Sequence, residues 1–227
     1  MYNLAVYGLT IVAFIITSGA QLFITSVYKK YSAVSNSKKL TGADVARMIL
    51  DKNDLKKVDV VQTTGYLSDH YDPSSKVVRL SSDNYGEASI AGVSVAAHEC
   101  GHAIQDKENY LFLRFRASMV PMVNFSSYAG YLAIVLGGIT GLFGLIKLGI
   151  LLECVILLFQ IVTLPVEINA SRRALKEIKK YGYLSEEEYS SGRLVLIAAA
   201  LTYVASVASA LLQILRLVLI YGRKEKK

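Results

Sequence analysis

Apolar and polar positions are sharply segregated along this chain. Residues 4–27 carry no charge. As a helix, these 24 positions would extend roughly 36 Å, more than the hydrocarbon core of a bilayer at about 30 Å. Residues 117–146 are also uncharged, 148–166 are interrupted only by Glu153, and 194–215 form a further clean run. Four membrane spans are expected. Small residues at Ser18-Gly19-Ala20 offer the spacing of a signal-peptidase site, but "MYNLAVYG" lacks a basic leader and the apolar run continues past Ala20. The first run is therefore expected to be an uncleaved anchor. Glu153 is assigned to the tip of the 117–166 hairpin beside Lys147, and "GGITGLFGLIKLG" to close packing there.

The intervening segments follow other periods. "TGADVARMILDK" opens on a capping box, Thr41 with Asp44, and predicts a short amphipathic helix. The β-branched runs "VDVVQT" and "KVVRLS" predict a strand pair with the turn in "SDHYDPSS" between them. "KVVRLS" is also a candidate edge strand for an extended peptide. A helix is expected over 89–105. Pro165 predicts a boundary before the amphipathic helix "EINASRRALKEIKKYG", and Ser185 with Glu188 predicts a second capping box.

The expected architecture is mainly α with a small β-hairpin or sheet. It is an integral membrane protein of about four transmembrane helices plus a domain outside the spans. Its expected parts are an anchor (1–27), a domain outside the spans (28–116), a transmembrane hairpin (117–166), a further helix (167–193), and a C-terminal transmembrane or membrane-associated helix with a basic tail (194–227).

Composition sharpens this picture at two points. Hydrophobic residues make up 53% of the 227-residue chain and charged residues 19%, a balance that excludes a simple soluble globule. The net charge of +7 raises the question of nucleic acid, but the basic residues follow the membrane boundaries and no aromatic-basic binding face is present. Of the 25 Lys and Arg, 13 lie in 28–116 and 6 in 167–193. An even number of spans separates these segments, so by the positive-inside rule both are cytoplasmic. The tail "GRKEKK" resists that assignment if the last run crosses fully. Two cysteines, Cys100 and Cys154, do not support a disulfide framework.

The candidate chemistry lies in "AAHECGHAIQD". His98 and His102 stand four residues apart, on one face of a helix, as two ligands of one Zn²⁺ require. Glu99 can reach a water in the fourth position without occupying the metal, which is the H-E-x-x-H pattern. A chance match in a chain of this length occurs on the order of one time in a hundred, so context decides. A plain core helix seldom carries two imidazoles and a carboxylate on one flank, because each needs a partner.

Catalytic zinc also needs a third protein ligand. His70 is the only other histidine, and Glu167 is the best carboxylate. A glutamate heading a helix is equally explained by the helix dipole. Cys100 reads as a small buried hydrophobe.

"HECGH", followed far downstream by "EINASRRA" and preceded by "DHYDP", resembles the bacterial membrane-bound neutral zinc metallopeptidase family of the YugP type, over most of the chain. The resemblance implies a glutamate-zincin, with 28–116 as the zincin-like catalytic domain bearing the HExxH helix and 167–193 as the helix with the third zinc ligand: His98, His102 and Glu167 hold one catalytic Zn²⁺ and Glu99 is the general base. The chain is more distantly similar to HtpX-type and prenyl-protein membrane metallopeptidases and to thermolysin-like enzymes. Those place an aspartate four residues after the glutamate ligand, where this chain has Ser171. Further candidates are His70 as a carbonyl-polarising or turn residue, and Asn169, Arg172 and Arg173 on the ligand helix. An arginine there could stabilise an oxyanion or answer lipid phosphates.

The expected function is a membrane-bound zinc endopeptidase of the bacterial plasma membrane, working on peptide or membrane-protein substrates at the lipid surface. The competing reading is a membrane scaffold or regulator that keeps a zinc site and binds a partner without cleaving it. A purely structural zinc site would have no use for Glu99.

Overall fold

The apolar runs are cores of longer helices. In the computed structural model, which describes residues 2–222, the order is α1 (Tyr2–Ser32), α2 (Gly42–Lys52), β1 (Asp59–Thr63), β2 (His70–Asp72), β3 (Val77–Ser81), α3 (Ser82–Gly86), α4 (Ile90–Lys107), α5 (Leu111–Thr140), α6 (Phe143–Tyr181) and α7 (Glu186–Gly222). Four helices, α1, α5, α6 and α7, are long and apolar enough to cross a membrane. The chain is a mainly helical membrane protein with a small sheet. Residues 223–227 of the basic tail lie outside the described residues.

Contacts divide the chain into two units, one of 1–21, 115–164 and 201–227, the other of 22–114 and 165–200. In the first unit large apolar side chains face outward: Phe14 is 70% exposed, Tyr128 82% and Ile139 78%. Such faces are costly in water and suited to lipid. The α5–α6 turn carries Gly141 at φ +75°, a conformation that L side chains avoid. Beyond it the two backbones close on one another. A Cβ on Gly149 would lie 2.4 Å from Ile134 Cγ1 and 2.9 Å from the Gly130 carbonyl oxygen. Glycine therefore sets the helix separation, as the glycine-rich stretch predicts.

Glu153 departs from expectation. It lies ten residues into α6, about 15 Å from the turn at helical rise, so it is not at the tip beside Lys147.

Pro165 is no boundary either, because α6 runs through it. Proline forfeits one backbone bond, the one to the Ile161 carbonyl, and the good helix formers Arg172, Arg173, Ala174, Leu175 and Lys176 follow within two to three turns. The expected helix at 167–182 is thus the continuation of the apolar run. In the same way, the helix begun by the Ser185–Glu188 capping box continues without a break as α7.

The second unit is built around α4. Thr41 and Asp44 form the expected capping box of α2, and Val45, Ile49 and Leu50 of that helix are fully buried. They share a core with Val78 and Leu80 of β3, Val93, Ala96 and Cys100 of α4, and Ala174 and Ile178 of α6. The sheet order is β1-β3-β2. β1 pairs with β3 in parallel and β2 with β3 antiparallel.

Two expectations are corrected by this sheet. The stretch read as a turn contains a strand of its own, β2, because Asp72 alone closes the tight turn by accepting from the backbone amides of Ser74 and Ser75. β3, offered as a peptide-binding edge, is the central strand. Four of its five residues are buried, which suits a strand covered on both faces.

Replacing Gly149 by Leu is expected to force α5 and α6 apart, at a cost of about 1–3 kcal/mol. A lower thermal unfolding midpoint of the detergent-solubilised protein checks this.

Candidate metal centre

Helix α4 begins at Ser89, whose hydroxyl accepts from the Gly92 amide at 2.9 Å, a helix N-cap that satisfies an otherwise orphaned donor. One face of α4 presents His98, Gly101, His102 and Gln105, the i, i+3, i+4, i+7 pattern of a helical stripe. The facing stripe of α6 is Glu167, Ala170, Ser171 and Ala174. The stripes meet at Gly101, where a Cβ would lie 2.5 Å from the Ala170 carbonyl oxygen. That contact lets a buried carboxylate reach both imidazoles.

His98 Nε2 lies 3.2 Å and His102 Nε2 3.5 Å from Glu167 Oε2. All three ligand atoms fall within 4.8 Å of one another. Two donors each about 2.1 Å from a tetrahedral ion stand about 3.4 Å apart. A direct charge-assisted hydrogen bond is shorter, about 2.7–2.9 Å. The separations therefore fit ligands around a cation better than an ion pair.

The far sides of the rings reinforce this. His102 Nδ1 is 3.0 Å from Gln105 Oε1. The Gln105 amide is oriented by its own donation to the Val166 carbonyl at 2.8 Å and to Asn169 Oδ1 at 3.0 Å. Its oxygen must then accept, which places the His102 proton on Nδ1 and leaves a lone pair on Nε2 facing a carboxylate. Ser171 Oγ lies 3.1 Å from His98 Nδ1 and can accept in the same way. Lone pairs thus converge on one point, the donor chemistry a divalent zinc takes. Burial opposes charging His102, but the Glu167 and Glu99 carboxylates outweigh it and raise its pKa. The raised pKa describes a centre short of positive charge.

Glu99, 7% exposed, has no hydrogen-bond partner among the described residues. Asn169 and Arg173 belong to the supporting chain: Arg173 Nε donates to Asn169 Oδ1 at 2.7 Å, and its guanidinium pairs with Glu108 at 2.7 Å. Arg172 is exposed and His70 is outside the cluster, its Nδ1 on the Ser68 carbonyl at 2.8 Å. Cys100 is fully buried in the core, and burial pushes its thiol pKa up. Sequence reasoning missed Gln105 and Glu108. The signal for Gln105 was its place on the His98–His102 stripe.

Residues 6–222 match a family described as "Putative neutral zinc metallopeptidase", and the chain belongs to that family. It is 45% identical over 219 residues to a Bacillus subtilis (strain 168) protein named "Putative membrane protease YugP", covering 96% of this chain and 97% of that one. No solved structure matches.

Substituting Gln105 by Leu removes the acceptor that fixes the His102 ring. Zinc affinity is expected to fall about 10–100-fold, measured by competition with a chromophoric chelator.

Proposed function

We propose that this member of the neutral zinc metallopeptidase family is a membrane-bound endopeptidase, with zinc held by His98, His102 and Glu167 and with Glu99 as general base. The observation that carries the reading is the convergence of three donors whose imidazoles are each anchored through Nδ1. When bound, zinc would supply Lewis acidity toward a water and a peptide carbonyl. Glu99, buried and with no other partner among the described residues, would take the proton of the attacking water. It would then deliver that proton to the departing amine, so that one water is consumed for each peptide bond cleaved. A carboxylate held in a hydrogen bond elsewhere would be a poorer base.

The working parts are taken as 28–116 and 167–193 for the peptidase, with 1–27, 117–166 and 194–227 as the membrane portion. The Lys and Arg bias supports a multi-pass protein of the bacterial plasma membrane with the peptidase segments in the cytoplasm. Peptides or membrane proteins at the lipid surface are the substrates this arrangement favours, because tethering raises their effective concentration.

Glu99→Gln is expected to reduce hydrolysis of a generic peptide at least about a hundredfold while bound zinc stays at the wild-type level. Proteolysis at the wild-type rate would remove Glu99 from its role. Zinc analysis of the purified protein should give one ion per chain, lost in both His102→Ala and Glu167→Ala. Full zinc content in Glu167→Ala would exclude the third ligand, and zinc without turnover in the wild type would favour a non-cleaving scaffold.

A further inference from the structure

Loop 64–68, between β1 and β2, displays two apolar side chains to the outside: Tyr66 is 61% exposed and Leu67 38%. The display is built into the backbone. Gly65 has φ +109° and Leu67 φ +52°, and a leucine in the left-handed region persists only where its surroundings enforce it. The enforcement is visible. Ser68 Oγ donates to the Thr64 and Gly65 carbonyls at 3.0 and 3.1 Å. Asp69 accepts from the Ser81 amide at 2.8 Å and from Asn84 Nδ2 at 2.9 Å.

The loop's position comes from α1. The Tyr66 ring meets the Tyr28 ring edge-on, with centroids 5.5 Å apart and planes at 87°. Tyr28 is 2% exposed and donates to Asn84 Oδ1 at 2.9 Å, so the same asparagine anchors both the helix and the loop. Along α1, Tyr28 closes the uncharged run, and exposed Lys29 and Lys30 follow it. A tyrosine and paired lysines at the end of a membrane-length apolar run belong at the depth of the lipid headgroups. Tyr66 is one ring contact away from that end of the run.

We propose that loop 64–68 is an interfacial anchor resting in the headgroup layer of the bilayer, with Tyr66 and Leu67 as its lipid-facing groups. The occupant is lipid because the loop continues the boundary that α1 already makes with the membrane, and Lys29 and Lys30 supply positive charge for phosphates beside it. Tyrosine suits the place, with an apolar ring for the acyl boundary and a hydroxyl for the wet layer. The inference does not depend on the metal centre.

The chain contains no tryptophan, so a single Tyr66→Trp or Leu67→Trp substitution gives an unambiguous fluorophore. The full-length variants would be reconstituted in phosphatidylcholine–phosphatidylglycerol vesicles, with and without brominated acyl chains, beside Phe14→Trp as a control within α1. The expected result is emission shifted to the blue of free indole in buffer, with loss of intensity in the brominated vesicles for both loop variants. Should Tyr66→Trp fail to fold, Leu67→Trp decides. The proposal is overturned if Phe14→Trp is quenched while the folded loop variants keep full intensity in brominated lipid. Unquenched loop emission counts against it equally whether that emission is water-like or is blue-shifted by contact with protein.

Discussion

The close approach of α4 and α6 at Gly101 governs the rest of the candidate centre. With a Cβ placed 2.5 Å from the Ala170 carbonyl oxygen, no side chain larger than hydrogen fits without moving a helix. The glycine is therefore what allows an acidic side chain of one helix to lie between two imidazoles of the other. Its position follows from helical geometry. Gly101 falls between His98 and His102 along the stripe and one turn before Gln105, so a single point of backbone contact aligns every polar group that matters.

Around that contact the polar groups form a chain in which each member fixes the next. Glu108 holds Arg173, Arg173 and Gln105 share the Asn169 oxygen, and Gln105 orients the His102 ring. The inner members are buried, where an unpaired amide or imidazole would cost roughly 1–3 kcal/mol. A buried network of this kind has few alternative arrangements, because changing one tautomer or flipping one amide would unpair its neighbour. Local rigidity is the consequence. The donor atoms of the candidate centre are held in place by groups outside it.

Much of this was legible in the sequence wherever a local rule acts alone. Both capping boxes, the Ser89 start of α4, the four apolar spans and the two-histidine stripe follow from spacing and composition. The failures share a physical origin, since each depends on neighbours distant in sequence. Pro165 reads as a stop, yet the helix on either side is stabilised by more than the one bond that proline forfeits. Asp72 reads as part of a loop, yet β3 offers it a partner. β3 itself reads as an edge because sequence gives strands but not their order. Gln105 carries no chemical signature as an amide in a helix, and its role arises only once Val166 and Asn169 capture its nitrogen.

The departure at Ser171 has an electrostatic logic. The resemblance to thermolysin-like enzymes drawn from the sequence implies an aspartate at that position. Here the centre already contains two buried carboxylates, Glu167 at 3% and Glu99 at 7% exposure. With neutral imidazoles, a divalent cation held there would bring such a centre to zero net charge. An aspartate at 171, a half-buried position beside His98 Nδ1, would add a third negative charge to the centre, and the Arg173 guanidinium is already engaged with Glu108 and Asn169. A serine hydroxyl and a glutamine amide accept from the two Nδ1 protons and set the tautomers without that penalty. They polarise the rings less than a carboxylate would, so the imidazoles are weaker donors to a metal. In the proposed metal centre the side-chain set would thus trade strength of ligation for electroneutrality.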